Sequence, residues 1–127
     1  ERRAEGADCR TAGTFPPAPP LAGHSLLACA ARRHSQDMAV RGFFNHVTPE
    51  GGTPADRASD ANYAFRALGE NIAAGAQTPE AVVEGWMLSD GHCVNIMNDQ
   101  LEELGVGYFF KRDTQMRHFW TQVFGTR

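Results

Sequence analysis

The chain has 127 residues, 42% of them apolar, and a formal net charge of -3, a balance that describes one ordinary folded domain and excludes a disordered chain or a disulfide scaffold. A pI near 5.9 and a single lysine, Lys111, leave no cationic stripe for a phosphate backbone, which excludes nucleic acid as the main partner. No apolar run reaches the roughly 18 to 20 residues that span a bilayer, so no membrane span is expected. The opening ERRAEGADCR has no hydrophobic signal core, so the chain reads as soluble, or as a mature or trimmed form whose signal is missing; a monomer is expected.

Residues 1–20 differ from the rest. Pro16, Pro17, Pro19 and Pro20 place four of the seven prolines in one short run, which predicts an extended, polyproline-like arm outside the core. Residues 21–127 are expected to form a single domain. From Leu21 to Phe44, Leu27, Ala31, His34 and Met38 recur at helical spacing, which predicts one long amphipathic helix ending near Gly42. A turn-rich loop, NHVTPEGG, follows the aromatic pair Phe43 and Phe44.

A second helix is expected to open at Thr53, whose hydroxyl caps free amides while Pro54 takes the first helical position and Asp56 faces the positive end of the helix dipole. It runs to about Tyr63. Residues 66–73 read as an irregular strand. Thr78, Pro79 and Glu80 repeat the capping pattern and open a helix with Val82, Val83, Trp86 and Met87 on its apolar face. Asp90 and Gly91 are expected to interrupt it before one or two further turns over HCVNIMN. GVGYFF and HFWTQVFG, joined by KRDTQMR, predict an antiparallel hairpin.

Three cysteines without a CxxC pair do not make a zinc ribbon, and they allow three single disulfides. Cys29 lies in the helical stretch LLACAARRH and reads as a buried thiol. Cys9 to Cys93 is then the expected bridge, and such a bridge implies an oxidising compartment.

Five histidines occur without HExxH or HxH spacing, so any metal site must be assembled by the fold. His46 lies in the turn-rich loop, and His92 follows a glycine in the short helical segment with Asn95. Glu70 is an acid among apolar neighbours: it is either exposed on a loop or held inside by specific hydrogen bonds and a salt bridge, because an unpaired buried charge is costly. Asn71 reads as a turn-shaping residue. His34 falls on the core stripe of the first helix, whereas His24 and His118 read as surface residues. Ser89 and His92 stand three apart and mimic a Ser–His pair, but no GxSxG elbow surrounds the serine. Cys93 beside His92 reads as a disulfide partner, not a nucleophile. Trp86, Phe119, Trp120 and Phe124 recur at core periods.

In order along the chain, HSQDMA, FFNHVTPEG, GENIAAG, GWMLSDGHCVNIM, ELGVGY and FWTQVFG resemble the bacterial, secreted branch of the CAP or SCP-like superfamily, named for cysteine-rich secretory proteins, antigen 5 and pathogenesis-related proteins. The resemblance runs from about Pro17 to Gly125. It implies an α+β fold, an α-β-α sandwich with a small antiparallel sheet between helices. It also implies export, and it favours the Cys9 to Cys93 bridge.

Eukaryotic members line a central cleft with two histidines and two acids that hold a divalent metal. His46 matches the first histidine and Glu70 the acid of the GEN motif. The second acid corresponds to Ser89 and the second histidine to Phe119, so that tetrad is incomplete here. The bacterial SxGHxxNI pattern brings in His92 as the replacement imidazole. The resemblance thus implies a cleft of His46, Glu70, Asn71, Ser89 and His92. A Zn²⁺ or another divalent ion would rest on His46, His92 and Glu70, with Glu70 either a third ligand or the acceptor that orients a ring. Two functions follow as expectations: a secreted, non-catalytic domain that binds a metal or a polar group of a lipid, protein or cell-wall ligand, and, alternatively, a metal-dependent hydrolase or peptidase with Glu70 as general base.

Overall fold

A computed structural model describes all of residues 1–127. Four α-helices, α1 (Ser25–Arg41), α2 (Pro54–Asp60), α3 (Pro79–Met87) and α4 (Asp90–Met97), flank a sheet. Six strands occur: β1 (Ala7–Asp8), β2 (Thr14–Phe15), β3 (Ala22–Gly23), β4 (Ala67–Ala74), β5 (Glu103–Phe110) and β6 (His118–Thr126). The main sheet has the order β3-β5-β6-β4. Its three long strands are antiparallel, and the two-residue β3 adds a parallel edge.

Alternation along β6 divides the core in two, because successive side chains leave a strand on opposite faces. Phe119 and Val123 face α1 and α2, where they meet Met38, Ala39, Leu27, Ala31 and Ala58. Trp120 and Phe124 face the other way into Val82, Trp86, Met87, Ile96 and Met97 of α3 and α4. The expected α-β-α sandwich is therefore present.

On the α1 side the helix rests directly on β5. A Cβ at Gly105 would run into the backbone at Leu27 and Ala28, and one at Gly107 into the backbone at Ala31 and Arg32. These two glycines, two residues apart on one strand face, form a trough for the helix. Ser35 fastens the contact, donating to the carbonyl of Gly107 (3.0 Å) and sharing a hydrogen bond with the buried Thr121 hydroxyl (2.7 Å).

Helix ends follow their local chemistry. Thr53 and Asp56 complete a reciprocal capping box at α2, and Thr78 accepts from the amide of Ala81 at α3. Gly42, in the left-handed region at φ 71°, closes α1 by donating to the carbonyl of Met38. The first helix is shorter than Leu21–Phe44, because His24 already caps it through Nδ1. His24 is consequently a half-buried cap packed edge-on to Tyr63, not a free surface residue. His118 is also half-buried, against Tyr108 and Phe110. The break before α4 falls at Leu88–Ser89, so Asp90 and Gly91 start the new helix instead of interrupting the old one.

Two other expectations change. Residues 1–20 do not remain an extended arm outside the core. They form 3-10 turns at Arg2–Glu5 and Arg10–Ala12 and a β1–β2 ribbon, and Cys9 is wholly buried in the α3–α4 core. The Cys9–Cys93 disulfide (Cα to Cα 5.7 Å) anchors this segment. So does Arg3, whose guanidinium donates to the carbonyls of Pro19, Ile96, Asn98 and Leu101. Cys29 is a free thiol but only half-buried. It stands two residues from both Leu27 and Ala31, which at 100° per residue turns it away from their buried stripe.

Gly107→Ala is expected to lower the free energy of unfolding by about 3 kcal/mol or more, since neither backbone can yield as a side chain would. Urea denaturation checks this; a loss below ~0.5 kcal/mol would mean that α1 does not depend on the trough.

Candidate functional site

Glu70 lies in the middle of β4 with its side chain only 2% exposed. Burying a carboxylate without compensation is costly, and here the compensation is complete. Nη2 of Arg57, one turn into α2, donates to Oε1 (2.9 Å) and Oε2 (2.7 Å). His46 places Nδ1 at 2.8 Å from Oε1, and the same Arg57 nitrogen donates to the carbonyl of His46 at 2.9 Å. One carboxylate thus ties the α1–α2 loop, α2 and β4 together, and Glu70 is a salt-bridged interior acid.

With Glu70 as acceptor, Nδ1 of His46 carries the proton and its Nε2 is left free on the far side of a ring that is 45% exposed. Across the sheet, the residue next in sequence builds the other half. Asn71 is fully buried on the α4 side, where it donates to the carbonyl of His92 (3.2 Å) and to Oε1 of Gln122 (3.0 Å). Its own carbonyl oxygen accepts from Asn95 (2.9 Å), whose Nδ2 also donates to the backbone carbonyl of Glu70 (3.1 Å). His92 itself pairs Nδ1 with the Ser89 hydroxyl at 2.8 Å, again leaving Nε2 free. Ser89 stands at the start of α4, yet its side chain makes no capping bond and serves the histidine instead.

The structure therefore gathers His46, Glu70, Asn71, Ser89 and His92 around the open edge of β4. Burial holds the pKa of His92 below the ordinary 6.5, and the charge of nearby His46 pushes the same way. Phe119 is core, packed with Met38 and Ile72. The remaining members escaped sequence reading. Arg57 lies on the short helix α2 with its side chain only 12% exposed, and only the requirement that a buried acid find a cation could have flagged it. Asn95 lay inside the quoted SxGHxxNI segment, and Gln122 alternates with core aromatics on β6.

No group of three or more His, Cys, Asp or Glu side chains is arranged to hold an ion. Both Glu70 oxygens face Arg57, which places this acid as the partner that orients His46. The two free imidazole nitrogens alone do not make the three-ligand zinc set that the resemblance implies.

His34 packs behind this site. It is fully buried on α1, with Nε2 donating to the carbonyl of Asn45 (2.8 Å), but its Nδ1 has no partner. Burial, and then the charge of Arg57, lower its pKa against the opposing pull of Glu70, the Asn45 bond and Asp37.

Residues 17–124 match the model of the CAP family, the cysteine-rich secretory protein family. The uncharacterized protein YkwD of Bacillus subtilis is 40% identical over 105 residues, 83% of this chain and 39% of that protein. YlbC, an uncharacterized membrane protein of the same organism, is 39% identical over 82 residues, 65% of this chain and 24% of that protein. The chain thus spans well under half the length of either. An extracellular, SCP-domain-containing protein of Bacillus anthracis superposes with a TM-score of 0.76 at 37% identity, covering 87% of this chain and 35% of that one. An outer surface protein of Borrelia burgdorferi shares the fold, with a TM-score of 0.79 at 21% identity over 87% of this chain and 80% of that one.

Removing one partner of the buried pair leaves the other unpaired, so Glu70→Ala is expected to cost about 3–5 kcal/mol in urea unfolding. A cost below ~1 kcal/mol would show that water reaches Arg57. The two lowered histidines add a pH dependence. Their folded pKa values lie below the unfolded value near 6.5, so the unfolded chain binds more protons. Their contribution is full above the unfolded value and is lost as pH falls through the folded values. Melting between about pH 7.5 and 5.5 should show Tm falling on the acid side, with a shallower slope in His34→Asn; a flat profile contradicts it.

Proposed function

From the premise that this chain belongs to the CAP family, the cysteine-rich secretory protein family, we propose that it is an extracytoplasmic, non-catalytic binding domain. Its cleft at the open edge of β4 takes a polar group of a ligand between the free Nε2 atoms of His46 and His92. The Cys9–Cys93 disulfide and the extracellular description of the Bacillus anthracis relative support the compartment.

The engagement of Glu70 carries this reading. A general base needs a lone pair within reach of a substrate proton, whereas both oxygens of this carboxylate are committed to Arg57 and His46 inside the protein. Ser89 and His92 are in hydrogen-bond reach of each other, but the ring's other nitrogen has no third residue to orient it, as a nucleophile's base would require. What remains are two imidazoles, each fixed in orientation by a bond through Nδ1 and each presenting Nε2. Such a pair suits recognition of a hydroxyl or amide, and a divalent ion would need the ligand or water to complete its coordination.

Binding to purified cell-wall sacculi, to a fatty acid and to Zn²⁺ should be compared between the wild type and His46→Ala/His92→Ala. At least one probe is expected to bind saturably and to weaken about tenfold or more in the variant while the melting curve still shows a folded protein. Equal affinity of both proteins for every probe overturns the cleft reading. Peptide hydrolysis abolished by both chelation and Glu70→Gln would establish the hydrolase instead.

A further inference from the structure

Only three buried side-chain nitrogens in the molecule lack a hydrogen-bond partner: Nδ1 of His34 and Nε and Nη1 of Arg57. Buried polar atoms in folded proteins are otherwise paired, so each such exception requires a physical reason. Here both residues line the same pocket, of about 440 Å³, between α1, α2 and the loop that joins them. Arg33, Gln36, Asp37, Arg41 and Thr48 complete its polar wall. Neither His46 nor His92 lines it. Arg57 separates the two regions, since its Nη2 is spent on Glu70 and the His46 carbonyl while its other nitrogens remain unbonded.

The unmet atoms define the chemistry of a complement. Nε and Nη1 of Arg57 carry three N–H hydrogens, all donors. His34 donates through Nε2 to Asn45, so its Nδ1 is a lone pair that needs a donor. Around them, Arg41 is matched by Asp37 and Glu50, whereas the exposed Arg33 has no ion pair. The pocket thus combines an unmatched cation in its wall, unbonded guanidinium donors and, in Nδ1 of His34, one unmet acceptor. A simple anion meets only the donors, and a neutral polyol leaves the cation unanswered.

We propose that this pocket binds a small hydroxylated oxyanion, the phosphate ester or carboxylate of a polyol, with its anionic oxygens on Arg33 and Arg57 and a hydroxyl donating to His34. The unpaired nitrogens are themselves closed off from water, so a ligand engages them only as the rotatable side chains lining the pocket move aside. This site is distinct from the proposed β4-edge cleft, with Arg57 standing between them.

Calorimetric titration of the full chain with glycerol 3-phosphate, glycerate and glycerol tests it. At least one of the anions is expected to bind at a single site and glycerol not to bind; which anion binds more tightly identifies the source as phosphate or carboxylate. Arg33→Glu, at an exposed position where folding is not at stake, should weaken binding about tenfold or more, and His92→Ala should leave it unchanged. The ¹⁵N resonance of His34 Nδ1 should shift as the site saturates. No saturable binding of either anion up to about 10 mM overturns the proposal. So does binding that survives Arg33→Glu but is lost in His92→Ala, which would place the anion in the cleft and leave the binding-domain reading standing.

Discussion

A carboxylate nearly closed off from water persists only where its charge is met, and Glu70 imposes that condition on everything around it. Arg57 answers the charge, and its geometry then dictates the rest. The nitrogen that bonds both carboxylate oxygens also bonds the carbonyl of His46, so the α1–α2 loop is held by the same group that neutralises the acid. His46 closes the ring through Nδ1. The orientation of one candidate ligand-binding imidazole is therefore a by-product of burying an acid. In such an arrangement the acid's role is structural toward the protein and directional toward the histidine, as outer partners of functional histidines generally are.

Glu70 and Asn71 are neighbours on one strand, so their side chains leave on opposite faces. That single step of β4 joins the two layers of helices. On one face Glu70 gathers α2 and the loop; on the other Asn71 gathers His92, Asn95 and Gln122. Asn95 bridges them, bonding the Asn71 side chain and the Glu70 carbonyl at once. Because β4 is an edge strand, that last bond also covers a backbone acceptor that would otherwise invite another strand. The same contacts thus position the candidate site and protect an edge.

Much of the fold was legible because the signals were local. Thr53-Pro54 with Asp56, Thr78-Pro79 and Gly42 announce helix ends through groups within a turn of one another. The β5–β6 hairpin shows in its aromatic and β-branched runs. What was obscure depends on partners distant in sequence. β4 read as irregular because Glu70, Asn71 and Ile72 are buried in succession, on both faces of the sheet, which erases the alternation that marks a half-exposed strand. The N-terminal segment read as an outlying arm because prolines dominate its composition, yet Cys9 and Arg3 bind groups more than eighty residues away. His46, Glu70 and His92 were found through motif resemblance, but the identity of the cation that meets Glu70 was not encoded locally. Arg66 is much nearer to Glu70 in sequence than Arg57, which stands 13 residues away, and only the placement of α2 decides between them.

The N-terminal segment also bears on the candidate site. Arg10 donates to Asp90 and to the carbonyl of Met87, and Thr11 donates to Asp90, while Cys9 is bonded to Cys93. These attachments grip the corner between α3 and α4, where Ser89 and His92 lie. The loop that carries His46 is held by an interior ion pair, and the start of α4 by a disulfide reinforced with surface hydrogen bonds. The disulfide constrains the α4 side even when exposed ion pairs are screened, since screening weakens surface charges and leaves a covalent tether intact. Both imidazoles are thus braced through Glu70 and Ser89, and each keeps its Nε2 free of protein partners.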